Sequence, residues 1–107
     1  MRKAKQKPPM RIPRTFTLNG EKILVVIAED IESTTGNVGE AHFDNRTIIL
    51  SRKMDGGKMS DMEVFETFVH EFLHLLLYQS GKRKLSRDED FIEKLEHLVL
   101  EFIRTHE

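Results

Sequence analysis

Near residue 60 the chain changes period, and that switch constrains its fold more than any other feature. Before it, short β-prone stretches alternate with turn residues; after it, apolar residues recur at helical spacing. Phe16 to Leu18 and Lys22 to Ile27 flank Asn19-Gly20, the strongest two-residue hairpin signal. The continuously apolar run Ile23 to Ile27 reads as a strand covered on both faces. A polar loop over 29–39 follows, then a third strand, Ala41 to Phe43, turning at Asp44-Asn45 into a fourth, Thr47 to Leu50. Asp55-Gly56-Gly57 ends the β half.

Ser60-Asp61-Met62-Glu63 reads as a capping box opening a helix to about Ser80, with Gly81 as its stop. After a basic loop, Lys82 to Lys84, Ser86 opens a last helix. Its apolar residues at 91, 92, 95, 98, 99, 102 and 103 form a one-sided stripe. The expected fold is α+β: a small antiparallel sheet of three or four strands followed by two helices.

The 107 residues suffice for one domain, and no apolar run is long enough to span a membrane. There is no cysteine, so a metal site must use histidine and carboxylate ligands. The N-terminus lacks the apolar region of a secretory signal, which points to an intracellular, cytoplasmic protein. Near-neutrality, −1 overall, conceals an asymmetry. Residues 1–14 carry Arg2, Lys3, Lys5, Lys7, Arg11 and Arg14, all three prolines and no acidic residue; 15–107 then hold 11 basic residues against 18 acidic. The first 14 residues read as a mobile arm, and 15–107 as the folded domain. Such an arm can meet nucleic-acid phosphates, though a solvated tail against its own acidic domain is the plainer reading.

The chemistry lies in His70-Glu71-Phe72-Leu73-His74. Four-residue spacing puts the two imidazoles about 40° apart on one helix face, able to hold one Zn²⁺. Glu71 points elsewhere, outside that ligand set but within reach of a water on the metal. It is the only charged residue in 67–76. A catalytic zinc needs a third ligand. Candidates on the last helix are Asp88, Glu89, Asp90, Glu93, Glu96 and His97. Glu89, Glu93 and Glu96 cluster beside the apolar stripe, Asp88 falls near it, and Asp90 and His97 point toward solvent. Glu89 could instead complete a capping box with Ser86. For a transition-state donor, the candidates are Tyr78, two turns on from Glu71, and His42.

The HEFLH motif followed by an acidic, apolar-striped helix resembles the gluzincin zinc metallopeptidases. The order of elements is similar to ImmA/IrrE-type and phage-encoded minimal metallopeptidases, over roughly residues 40–103. The resemblance implies one zinc per chain held by His70, His74 and Glu89, with Glu93 orienting a ligating histidine. It implies hydrolysis of a peptide bond in an intracellular protein, Glu71 assisting attack by zinc-bound water. It also implies an edge strand pairing with substrate, for which Thr47, Ile48, Ile49 and Leu50 are the candidates. The competing class is a non-catalytic, zinc-stabilised adaptor that binds nucleic acid or protein through the basic arm.

Overall fold

In the computed structural model, which describes residues 11–106, the elements follow the expected order with additions. Strands β1 (Thr15–Leu18) and β2 (Glu21–Ala28) form the first hairpin, and Asn19 and Gly20 both take positive φ, at 53° and 80°. That is what a two-residue turn matching the strand twist demands. Helix α1 (Glu32–Thr35) is a single turn inside the polar loop. Strands β3 (Gly39–His42) and β4 (Thr47–Ser51) form the second hairpin, and β5 (Lys53–Met54) and β6 (Gly57–Lys58) a minimal third around Asp55-Gly56. Then come α2 (Asp61–Gln79), the one-turn α3 (Arg83–Ser86) and α4 (Glu89–Thr105).

The fold is α+β, but its four-stranded sheet is mixed rather than antiparallel. The order is β1-β2-β4-β3, and β2 lies parallel to β4, Leu24 opposite Thr47 and Ile27 opposite Leu50. Each hairpin is locally encoded by its turn, whereas the joining of the two hairpins depends on packing against α2. This order places Thr47–Leu50 in the interior, hydrogen-bonded on both sides. The expectation of an edge strand there is therefore wrong, and the edge beside the helices is β3.

Ile23, Ile48 and Leu50 of the sheet, Phe65, Val69 and Leu75 of α2, and Ile92 and Leu100 of α4 belong to one core. Helix α2 packs on β3 and β4 on one side and on α4 on the other. None of the described elements covers the opposite face of the sheet, so among the described residues β2 is not covered on both sides: Leu24 and Val26 are 45% and 47% exposed. Ile12 packs on the core, and the Arg14 carbonyl accepts a hydrogen bond from the Val25 amide, tying the end of the basic stretch to the domain. The rest of that stretch, residues 1–10, lies outside the described residues. Among the described residues, no helix is long and apolar enough to cross a membrane.

The capping box of α2 forms in both directions: Glu63 donates its amide to Ser60 Oγ, and Ser60 donates its amide to Glu63 Oε1. Gly81 ends the helix at φ 87°. Ser86 does not open α4. It is fully buried, and Asp88 is the cap, accepting from the Phe91 amide.

Candidate metal centre

Helix α2 carries His70, Glu71 and His74, and α4 returns antiparallel beside it. Contacts step down the pair in register: His74 with Glu89, His70 with Glu96, and Glu66 with Arg104. Glu89, in the first turn of α4, brings its carboxylate to both rings. Oε1 lies 3.2 Å from His70 Nε2 and Oε2 lies 3.3 Å from His74 Nε2. Ligand atoms of the three residues all lie within 4.8 Å of one another. Two imidazole nitrogens and a carboxylate suit a divalent cation with one position left open.

The other ring nitrogens are engaged, which fixes the tautomers. His70 Nδ1 is 2.8 Å from Glu96 Oε1. His74 Nδ1 donates to the Ser86 backbone carbonyl, and Ser86 Oγ donates back to the His74 carbonyl at 2.7 Å. Both Nε2 atoms are thereby turned to the Glu89 carboxylate. A His70–His74–Glu89 group able to hold a metal ion is thus present, with a support behind each histidine.

Several sequence expectations change here. The residue that orients a histidine is Glu96 rather than Glu93, which is exposed. Seven residues bring the chain within about 20° of the direction of Glu89, while four overshoot it by about 40°. Asp88 is occupied as a helix cap and His97 is exposed, so neither joins the group. The suggested Ser86–Glu89 capping box is absent, because the Ser86 hydroxyl is committed to His74. Tyr78 stacks on Phe43, centroids 4.4 Å apart, beneath the Arg83 guanidinium. His42 pairs with Glu40 Oε1 at 2.9 Å. Neither lines the cleft described next.

Two residues not expected at the site from the sequence shape it. Ser86 is one. The other is Gly39, the first residue of β3, where an added Cβ would lie 2.5 Å from Thr67 Cγ2 and 3.0 Å from Glu71 Oε2. The strand therefore lies flush on α2 beside Glu71. The only sequence signal for this was a glycine at the end of a polar loop.

The three elements enclose a cleft of about 920 Å³, lined by residues of β3, α2 and α4 and by the loops around α1 and the β5–β6 turn. Glu71 lines it and is 8% exposed, and its carboxylate takes no hydrogen bond from the described residues. Burial pushes its carboxyl above the ordinary carboxylate range, and the neighbouring His70 and His74 only partly oppose this. For His70, burial alone would lower the imidazole. The Glu96 hydrogen bond and the charges of Glu71, Glu96 and Glu89 together outweigh it, and the net shift is upward. A buried carboxyl with no hydrogen-bond partner among the described residues, next to converging imidazole nitrogens, can exchange protons with a molecule in the cleft.

No protein-family model, curated protein or solved structure matches this chain.

Proposed function

We propose that the chain is a zinc-dependent peptidase of minimal, gluzincin-like type, acting on a polypeptide inside the cell. The observation that carries the reading is the division of labour in one cleft: His70, His74 and Glu89 converge, while Glu71 stands apart, buried and without a hydrogen-bond partner among the described residues. The nitrogen and oxygen donors, without sulfur, suit Zn²⁺. When bound, zinc supplies a Lewis acid that polarises a carbonyl and makes a coordinated water more acidic.

The chain's own residues supply the rest. Glu71 accepts a proton from the attacking water and delivers it to the leaving amine, a task suited to a carboxyl that burial makes more basic than usual. Glu96 and the Ser86 carbonyl hold the ligating rings in orientation. Substrate lies along β3. The Val38 carbonyl accepts from Ser51, so by antiparallel alternation Gly39 and Ala41 turn their N–H and C=O away from β4. An extended peptide added to that edge runs past Glu71, with hydrogen bonds to backbone alone.

The test uses wild-type, Glu89→Ala and Glu71→Gln protein. Elemental mass spectrometry should find about one zinc per chain in wild type and Glu71→Gln, and much less in Glu89→Ala. An unfolded protein substrate should be cut by wild type alone. Zinc-loaded wild type that cuts nothing, or Glu71→Gln that cuts as well as wild type, would overturn the reading.

A further inference from the structure

The cleft holds more carboxylate than a metal site and a proton carrier require. Beyond Glu71, Glu89 and Glu96, its walls present Glu32 from α1, Glu40 from β3, Asp55 from the β5–β6 turn, and Glu63 and Glu66 from α2. Arg87 is the only lysine or arginine among the lining residues. Glu66 is neutralised from outside by Arg104, and Glu40 pairs with His42. Glu32, Asp55 and Glu63 have no ion-pair partner among the described residues. Among those residues the Glu32 side chain accepts only the Asp55 amide, and that of Glu63 only the Ser60 amide. A dication at the histidines and Glu89 would still leave the carboxylates in excess.

These charges come from separate elements and converge on a concave space, where low-dielectric walls concentrate a field. They line the same cleft as Gly39 and Ala41 of β3. Building on the proposed peptidase reading, we infer that the cleft selects polypeptide segments rich in lysine or arginine. Glu32, Asp55 and Glu63 serve as the counter-charges on its wall. An extended strand projects alternate side chains to either side, so cationic residues on one side of the segment meet this wall while its backbone follows β3. The same field repels polyanions from the cleft.

The experiment measures binding by fluorescence anisotropy to zinc-loaded Glu71→Gln protein. Three labelled peptides of one length carry lysine, glutamine or glutamate at the same alternate positions. The lysine peptide should bind about tenfold more tightly than the glutamine peptide, with the glutamate peptide weakest. The preference should shrink as ionic strength rises from about 0.01 M, where charges are felt over ~30 Å, to about 0.15 M, where the range is ~8 Å.

In the triple variant Glu32→Gln, Asp55→Asn, Glu63→Gln the preference should fall to about threefold or less. Each change keeps its local structure: glutamine still completes a capping box, and asparagine suits the positive φ of 53° at residue 55. If the triple variant does not fold, Glu32→Gln alone should reduce the preference measurably. Equal affinity for the three peptides, or a preference unchanged in the folded variant, overturns the inference. Cleavage separates it from the reading beneath it. Wild type that binds lysine peptides selectively but cuts none refutes the peptidase and leaves the ligand class standing. Wild type that cuts all three equally does the reverse.

Discussion

Replacing Gly39 with alanine tests how β3 is seated against α2. The new Cβ would lie 2.5 Å from Thr67 Cγ2, 3.0 Å from Glu71 Oε2 and 3.1 Å from Glu71 Cγ. Ordinary carbon contacts lie at about 3.5–4.0 Å, so the strand must retreat by about 1 Å or the helix side chains must turn. Overpacking of this kind costs about 1–3 kcal/mol. Gly39 is not among the glycines with positive φ, so alanine suffers no backbone strain and recovers about 0.4–1 kcal/mol by restricting the unfolded chain. The net loss should be about 1–2 kcal/mol, which for a domain of this size lowers Tm by roughly 5–15 °C. Urea unfolding and thermal melts of the metal-free protein measure it. Thr67→Ser removes the nearest clashing atom but keeps the hydroxyl that donates to the Glu63 carbonyl. The double variant should therefore recover part of the loss, a coupling of about 1 kcal/mol. Peptidase activity should be low in the single and the double variant alike, because the contact with Glu71 is present in both. A Gly39→Ala protein as stable as wild type would refute the close approach of strand and helix.

Three further outcomes follow from the site. Glu96→Gln leaves His70 Nδ1 facing a neutral amide and should weaken zinc binding about 10–100-fold by chelator competition, whereas Glu93→Gln should leave it unchanged. Glu71→Gln should stabilise the metal-free protein near pH 7 by about 1–3 kcal/mol, because a neutral amide replaces a carboxylate whose charged form is penalised by desolvation. Because the folded carboxyl is raised, its favourable contribution is present below the unfolded value of about 4.3 and lost as pH rises through the folded one. The variant's advantage should therefore vanish in denaturation curves taken below pH ~4, and an advantage of equal size there would contradict the burial argument. Ser86→Ala should cost about 1–2 kcal/mol in urea unfolding, from one lost buried hydrogen bond, while zinc affinity changes little.

What was legible in the sequence follows the range of the interaction. The Asn19-Gly20 turn, the Ser60–Glu63 capping box, the Gly81 stop and the α2 placement of His70, Glu71 and His74 are written within a few residues, and the structure has them all. The need for a third donor leaves six candidates on the last helix; the resemblance to gluzincins favours Glu89, and it lies beside both rings. Features that depend on how elements meet were not legible. Nothing local states that β2 and β4 lie side by side, so the mixed sheet and the edge position of β3 went unread. Glu96 was passed over for Glu93 because the support for His70 depends on the antiparallel descent of α4 along α2, a tertiary relation. Ser86 carried a plausible cap signal, but burial beneath α2 gave its hydroxyl another use.

The two histidines are steadied by different kinds of partner, and that difference bears on how the chain can drift. His70 leans on a side chain, Glu96, which a single base change can erase. His74 leans on a carbonyl of the main chain, which every amino acid at position 86 would supply. Half of the scaffold behind the proposed metal site is thus indifferent to which residue is encoded and sensitive only to whether the single turn of α3 stays docked. Mutations that disable this half should therefore map to whatever seats the turn, such as the Gly81 stop that starts the chain back, and look like folding defects. Those that disable the other half should leave a well-folded protein that has lost its grip on the ion.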